Sequence, residues 1–201
     1  QRHCSAFNRR VLDYLIAEPD ITTVALGARW AYYIERSFYD NQEGGVEIGP
    51  EALWNNPRSV SRFSEAVQKV VSELVANGKQ VVLIYPVPEP GWDIPRYMVH
   101  ADMLGIKLDD AFSASHAHFK ARNRRAYQIL DSAGTHPDII RVYPEKQMCN
   151  IAIPGRCVFM TEAGIPLYFD DDHLSIAGAR YALPDLEKPL PASRQKAQSN
   201  R

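Results

Sequence analysis

The sequence predicts an α/β fold in which a parallel β-sheet is covered by helices on both faces. Stretches with helical spacing alternate along the chain with short apolar runs, and this alternation is typical of parallel sheets whose strands are joined by helices. The runs are apolar and β-branched throughout, as expected of strands buried on both faces. Chemistry in such sheets takes place at the carboxyl ends of the strands, so the residues that follow each run are the candidate site residues.

The first half of the chain predicts two helices and one strand. Residues 5–17 space their apolar side chains like an amphipathic helix, and residues 21–30, ITTVALGARW, indicate a buried strand. Residues 32–57 are aromatic and glycine-bearing without clear periodicity, which predicts a long loop with room for a short hairpin. The next stretch, RSVSRFSEAVQKVVSELVANGKQ, predicts a strong helix that ends at Gly78.

The second half continues the alternation. Residues 81–95, VVLIYPVPEPGWDIP, indicate a second buried strand that runs into a proline-rich loop. Residues 111–133 predict a helix ended by Gly134, and residues 138–145, DIIRVYPE, predict the third strand.

The last elements are short. Residues 158–169, VFMTEAGIPLYF, suggest two short strands around an Ala-Gly turn, and Ser175 is placed to cap a final helix. From Pro184 the chain is polar and proline-bearing, as disordered tails are. We therefore expect one domain over residues 1–183 and a tail over residues 184–201.

Composition narrows the function classes. Hydrophobic residues make up 45% of the chain and charged residues 23%, which suits a globular core. The formal net charge of -1 gives no basic excess, so a nucleic-acid partner is not expected. No apolar run approaches the roughly 18 to 20 residues that span a bilayer. The first residues lack the apolar region of a signal peptide, so any targeting information is expected outside this chain.

Two of the three cysteines lie close together. Cys149 and Cys157 are eight positions apart, and Pro154-Gly155 between them favours a turn that can bring them within disulfide reach. Two buried free thiols are the alternative; a zinc site would need further ligands at close spacing, and none is nearby. Cys4 is left over, and an odd cysteine suggests a partner outside the chain.

The stretch PLYFDDDHLSIAGARY, residues 166–181, raises the question of function. Asp170 precedes His173 by three positions, so a tight turn can fold its carboxylate onto the imidazole, as in the orienting pair of a catalytic triad. Asp171 and Asp172 are worse placed, and we expect them to face water. The alternative is structural, because acidic residues before a serine N-cap also suit the positive end of a helix dipole.

The same stretch resembles the last conserved block of the SGNH hydrolases, in the variant fused to membrane acyltransferase-3 domains. That variant has the pattern Tyr-x-Asp-x-x-His-Leu-Ser followed by Gly-Ala, and this chain matches it with Tyr168, Asp170, His173, Leu174, Ser175, Gly178 and Ala179. VALGARWAYY is similar to the family's strand ending in Arg-Trp, and VVLIYPVPEPGWDIP to its strand ending in Pro-x-Pro. A cysteine pair before the last block is also usual in the family. The resemblance covers roughly residues 4–182.

The resemblance implies a three-layer, flavodoxin-like α/β/α fold, catalytic roles for Asp170 and His173, and a Cys149–Cys157 disulfide. It also implies transfer of an O-acyl group, acetyl in the first instance, to a hydroxyl of an extracytoplasmic glycan. The acyl group would come from a transmembrane acyltransferase domain of the same polypeptide, at the periplasmic face of the inner membrane, without a metal or another cofactor. A carbohydrate acetyl esterase, or a glycan-binding or scaffold module without catalysis, is the alternative.

Two departures from the family pattern matter. The family's nucleophilic serine lies in a Gly-Asp-Ser block that is absent here, so we expect an N-terminally truncated domain that is inactive alone. The nearest similar stretch, LDSAG at residues 130–134, is an ordinary helix end. The other departure is Arg29, which stands where SGNH hydrolases at large have an oxyanion-binding asparagine. Arg29 either donates to the oxyanion or holds a carboxylate, and Trp30 beside it is a further candidate for oxyanion or substrate contact.

Three other groups of residues carry weaker signals. His116 and His118 are two positions apart on a predicted helix and point in different directions, so they do not suggest a shared metal. The basic run KARNRR indicates a solvated helix face rather than a polyanion site. Trp54 and Trp92 lie in loops near strand ends, where packing is the expected role and stacking on a sugar ring the alternative.

Overall fold

A computed structural model describes residues 2–47, 58–106 and 112–187. Its helices are α1 (Arg2–Ala17), α2 (Trp30–Glu35), α3 (Arg58–Ala76), α4 (Ile94–Met103), α5 (His116–Asp131), α6 (Glu145–Met148) and α7 (Ile176–Ala182), followed by a 3₁₀ helix at Pro184–Glu187. Its strands are β1 (Thr23–Leu26), β2 (Gln80–Ile84), β3 (Ser113–Ser115), β4 (Ile139–Val142) and β5 (Arg156–Val158). Among the described residues no helix is both long and apolar enough to cross a bilayer.

The central sheet has three parallel strands in the order β1-β2-β4. Val24 pairs with Val81, and Val82 pairs with Ile140, so β2 lies in the middle. The side chains of β2 are buried on both faces, which explains its apolar run. The predicted α/β class with a parallel sheet is confirmed, and it is consistent with the flavodoxin-like fold that the resemblance implies.

One hydrophobic core joins the sheet to α1, α3 and α5. Leu12, Val71, Leu74, Leu83 and Leu130 are buried in it. These contacts explain why α3 keeps its apolar residues at helical spacing. Past the end of α3 the chain turns at Gly78, whose φ of 77° lies in the left-handed region that glycine adopts at low cost.

A second core lies between α4, α6, α7 and the antiparallel pair β3–β5. Met148, Phe159, Leu167 and Tyr168 are fully buried there. The predicted disulfide is confirmed: Cys149 and Cys157 are bonded with an S–S distance of 2.01 Å, and both are buried in this core. The side chain of Cys4, for which we expected an external partner, lies outside the described side chains.

Three helices were not predicted: α2, α4 and the four-residue α6. The strand predicted over residues 21–30 is limited to β1, and α2 follows it because Trp30 and Ile34, one helical turn apart, are both buried. The region after β2 was interpreted as loop, yet Asp93 accepts a hydrogen bond from the backbone N–H of Arg96 and starts α4. Asp93 and the following proline are ordinary signals of a helix start.

Three boundaries also differ from the predictions. The helix predicted over residues 111–133 starts later than expected. Ser113–Ser115 form β3, and α5 begins at His116 because Ser115 caps it. The two strands predicted around the Ala-Gly turn are reduced to an isolated bridge between Met160 and Pro166, and β5 lies before it. The first residues of the expected tail form the 3₁₀ helix, and residues 188–201 lie outside the described residues. The division at residue 183 stays a prediction.

Candidate functional site

Three segments meet at the carboxyl ends of β1 and β2. Residues 27–29 follow β1, residues 85–89 follow β2, and residues 168–174 form a hairpin beside them. The hairpin is tied to the loop after β2, since the N–H of Gly91 donates to the Asp171 carbonyl at 3.3 Å. A cavity of about 240 Å³ lies where the three segments meet, and His173 lines it. This is the edge of the sheet at which chemistry was expected.

The hairpin explains the Asp-x-x-His spacing. Tyr168 and Leu174 form a β-bridge, and the N–H of Phe169 donates to the His173 carbonyl at 3.0 Å. Within the turn, Oδ1 of Asp170 accepts the backbone N–H groups of Asp172 at 2.9 Å and His173 at 2.7 Å. Asp170 therefore holds the turn with one carboxylate oxygen and keeps the other for the imidazole.

That second oxygen contacts the histidine as the spacing predicts. Nδ1 of His173 lies 2.8 Å from Oδ2 of Asp170, and the ring of Phe169 stacks on the imidazole with centroids 5.4 Å apart. Nε2 makes no hydrogen bond to any residue that the structure describes. The His173 side chain is 60% exposed, so a reacting group can reach it. The contact is that of a triad's base and its orienter; the catalytic role stays a prediction.

Charge and hydrogen bonding shift both pKa values in this pair. The hydrogen bond to Asp170 raises the pKa of His173, and the negative charge of Asp172 raises it further. Burial works against ionisation of Asp170, but the backbone N–H groups of Asp172 and His173 outweigh it and lower the pKa of Asp170. Asp170 therefore stays ionised under conditions in which His173 gains or loses its proton.

Asp172 is part of the site, although we expected it to face water. Its side chain is only 6% exposed, and its Oδ1 lies 2.7 Å from Nδ1 of His173. The other oxygen is paired with the Arg29 guanidinium. Burial raises the pKa of Asp172 to about 6, and the neighbouring Asp170 and Asp171 add to this while Arg29 opposes it. Nothing in the spacing distinguished it from Asp171.

Arg29 is held by three carboxylates. Its Nη1 and Nη2 donate to the two oxygens of Glu47 at 3.0 and 2.6 Å. Its Nε and Nη2 donate to Oε1 of Glu89 at 3.2 and 2.7 Å, and Asp172 is the third partner. Burial disfavours the charge, but the hydrogen bonds to Glu47 and Glu89 raise the pKa of Arg29 well above its usual value. Of the two expected roles, the contacts match the holding of carboxylates.

The partners of Arg29 were not found from the sequence. Glu89 follows β2 in the proline-rich loop, a position that could have singled it out, and Arg122 contacts its second oxygen at 3.0 Å. Glu47 comes from the aperiodic segment after α2, where no pattern indicated it. Donation from Arg29 to an oxyanion would require one of these contacts to be released.

The indole N–H of Trp30 is used in a structural hydrogen bond and is not free to donate to a ligand. Trp30 is buried, and its indole Nε1–H donates to the carbonyl of Ile84 at 2.8 Å. This bond ties the start of α2 to the end of β2. The ring lines the cavity, but its one N–H group is used, so Trp30 is a poor candidate for binding an oxyanion.

The remaining candidates lie elsewhere. His116 contacts Asn150, whereas Nε2 of His118 lies 2.8 Å from the Asp40 carbonyl, so the two rings have separate partners. Trp92 packs near Tyr97 with centroids 6.4 Å apart, and Trp54 lies outside the described residues. The ligand atoms of Asp170, Asp172 and His173 lie within 4.8 Å of one another, a set that could hold a divalent cation. The internal hydrogen bond to His173 accounts for the same geometry.

The last residues of the motif fix the position of α7 next to the hairpin. The Ser175 hydroxyl accepts the N–H of Gly178 at 3.0 Å and donates to the Pro166 carbonyl at 2.9 Å, which confirms the predicted cap. A Cβ atom on Gly178 would collide with the backbone of Leu167. The glycine therefore lets α7 pack against the strand segment that leads into the hairpin.

A family model described as "SGNH domain (fused to AT3 domains)" matches residues 1–188, which is most of the chain. A search of curated proteins finds no match.

Proposed function

The chain belongs to the SGNH domains that are fused to AT3 domains, so its activity is of the acyltransferase or esterase type, and we propose that it takes part in the transfer of an O-acetyl group to a glycan hydroxyl. In this proposal His173 is the general base and Asp170 orients it. The observation that carries the proposal is the 2.8 Å contact between Nδ1 of His173 and Oδ2 of Asp170, which leaves Nε2 available beside the cavity.

In this arrangement Nδ1 of His173 carries the proton shared with Asp170, and Nε2 has a free lone pair. Nε2 of His173 accepts the proton of a serine hydroxyl while the serine oxygen attacks the acyl donor, and Asp170 stabilises the imidazolium that forms. Collapse of the tetrahedral intermediate expels the donor's leaving group, which takes the proton from His173, and leaves an acyl-serine. His173 then deprotonates the sugar hydroxyl, which attacks the acyl carbon. The serine leaves with the proton, and the sugar carries the ester.

We place the serine in a part of the polypeptide that is not in this chain. No described serine forms a hydrogen bond with His173. Among the described strands, β1 pairs with β2 alone, so its other edge is open. A strand added at that edge in parallel would bring its carboxyl end next to residues 27–29 and hence close to His173. In this arrangement the isolated chain has the base and the orienter but not the nucleophile.

The disulfide supports a location outside the cytoplasm. A bond such as Cys149–Cys157 persists in oxidising compartments and is rare in the cytosol. The family's fusion to AT3 domains supports a transmembrane acyltransferase domain in the same polypeptide. We propose that this membrane domain delivers the acyl group and that the present domain hands it to an extracytoplasmic glycan at the periplasmic face. No cofactor other than the acyl donor enters the proposal.

An esterase is the second candidate. The exposure of His173 favours it, because water can reach the imidazole as readily as a sugar can. The two reactions share every residue named above and differ only in the acceptor. The ratio of acetylated glycan to free acetate formed by the full polypeptide distinguishes them.

The test uses the full polypeptide with a labelled acetyl donor. We expect His173→Ala to reduce formation of acetylated glycan by a factor on the order of 10³ or more. His136→Ala is the matched control, because His136 also lies near an aspartate, with Nδ1 3.5 Å from Asp138. It precedes β4, which lies at the other edge of the sheet from β1. Undiminished transfer by His173→Ala would refute the proposal.

A further inference from the structure

We propose that α2 and the segment after it form a subsite for the pyranose ring of a neutral sugar acceptor. The inference extends the proposed function by naming the acceptor class and the residues that hold it. A second cleft, of about 480 Å³, borders the catalytic pair. Asp172 and His173 line it together with three aromatic side chains, Tyr32, Tyr33 and Phe38.

The aromatic side chains are fixed by one another. The ring of Tyr33 meets Tyr32 edge to face, with centroids 5.3 Å apart and an interplanar angle of 82°. Phe38 packs on Tyr32 at 5.7 Å, and the Arg29 guanidinium lies 5.0 Å from the Tyr32 centroid. Tyr33 is nevertheless 55% exposed. Tyr33 is thus an exposed ring whose orientation is already set. A ligand that packs on it therefore costs little side-chain entropy at Tyr33.

The cleft combines groups that suit a sugar. A pyranose presents a face of C–H groups, which packs on an aromatic ring, and a rim of hydroxyl groups, which need hydrogen-bond partners. Glu47 and Asp172 line the cleft with carboxylate oxygens, which accept from hydroxyl donors. An apolar wall with a few placed polar groups is the usual composition of a small-molecule site.

The charges at the cleft favour a neutral sugar over an anionic one. Glu47 and Asp172 line the cleft, and Asp170 and Glu89 pair with two other lining residues, His173 and Arg29. Arg29 is the cation paired with three of these four carboxylates. Arg122 pairs with the second oxygen of Glu89 from α5, and His173 faces Asp170 and Asp172. Among these described side chains the four carboxylates outnumber the three cations even with His173 protonated, so a uronic or sialic acid would meet a negative field. A neutral ring meets no such penalty.

The position of the subsite fits an acceptor. Tyr33 and His173 line the same cleft, so a sugar packed on Tyr33 has its hydroxyl rim next to the base that would deprotonate it. Tyr33 itself touches no reacting atom in this arrangement. Its role is to position the sugar, which predicts an effect on KM for the acceptor rather than on kcat.

Binding is measured on this chain by ¹H–¹⁵N NMR titration with three neutral probes, the methyl glycosides of glucose, mannose and rhamnose, and with the anionic methyl glucuronide. We expect at least one neutral glycoside to shift the amides of α2 in a saturable manner, and glucuronide to bind more weakly. Tyr33→Ala should weaken binding about tenfold, whereas Tyr33→Phe should retain it. Tyr14→Ala is the matched control, because Tyr14 on α1 is 59% exposed and lies outside the cleft.

Three results of the titration would refute the subsite. The subsite is wrong if no neutral glycoside shifts the α2 amides, if Tyr33→Ala binds like the wild type, or if glucuronide binds best. The titration needs no nucleophile, so it separates the two proposals. Tyr33-dependent binding together with His173-independent transfer would leave the subsite and remove the proposed function, and the reverse pair of results would remove the subsite alone.

Discussion

Oδ1 of Asp172 lies 2.7 Å from Nδ1 of His173, on the same nitrogen that hydrogen bonds to Asp170. Two carboxylates therefore share one side of the imidazole. Asp170 fixes the ring through the turn, and Asp172 connects it to Arg29 and so to Glu47 and Glu89. The Asp170–His173 pair is in this way linked, through a partly buried network of charges, to the loops that follow β1 and β2.

Asp172→Asn should lower the pKa of His173, because it removes a negative charge that favours the imidazolium. NMR titration of the His173 ring protons in this chain measures the shift directly. Asp171→Asn is the matched control, since Asp171 neighbours Asp172 but its backbone carbonyl, not its carboxylate, contacts the loop after β2. An unchanged pKa in Asp172→Asn would show that the 2.7 Å contact has no electrostatic effect on the base.

The rate of acyl transfer should depend on pH through the same group. The base must be neutral, and its pKa is raised above the ordinary 6.5, so kcat/KM of the full polypeptide should rise with pH through a midpoint above 6.5. Asp172→Asn should move that midpoint to lower pH. A rate that is flat across this range, or that falls as pH rises through it, would exclude His173 as the base.

Arg29→Ala tests the two roles that the sequence left open. Removal of the guanidinium leaves Glu47, Glu89 and Asp172 facing one another. We expect a loss of about 3 kcal/mol in the free energy of unfolding, the low end for a broken buried ion pair, because Arg29 is partly exposed. Arg9→Ala, which breaks surface pairs with Asp13 and with Glu73, should have no measurable effect. A variant at position 29 with unchanged stability but greatly reduced acyl transfer would instead support donation to the oxyanion.

The disulfide should contribute to stability because it closes a short loop around Asn150 and Gly155. Substituting both Cys149 and Cys157 by serine is expected to cost about 2 to 3 kcal/mol of unfolding free energy. Denaturant unfolding of the two forms measures the difference, and reductant should destabilise the wild type but leave the double variant unchanged. Equal midpoints for oxidised and reduced wild type would contradict this.

Local patterns in the sequence sufficed for the elements whose cause is local. The periodicity of α3, the serine cap of α7 and the turn that joins Asp170 to His173 all arise within a few residues. The site beyond this pair depends on distant loops: Glu47 reaches Arg29 only because the segment after α2 folds back, and Glu89 comes from the end of another strand. No spacing predicts such convergence.

Helix α2 begins at the last residue of the strand predicted over residues 21–30 and continues into the segment predicted as a loop over residues 32–57. Tryptophan, tyrosine and isoleucine are weak helix formers, so propensity gives no helix signal in WAYYIE. Burial of Trp30, Ala31 and Ile34 against the core overrides that weak propensity. This helix supplies two of the three aromatic side chains of the second cleft, Tyr32 and Tyr33.

The most direct test is to map the serine that reacts with a fluorophosphonate, a reagent that labels serines activated by a histidine base. We predict that the full polypeptide is labelled on a serine outside these 201 residues, that the isolated chain is not labelled, and that His173→Ala abolishes the labelling while His136→Ala does not. Labelling of a serine within this chain, or labelling that survives His173→Ala, would contradict the assignment of His173 and Asp170 as the base and orienter of an externally supplied nucleophile.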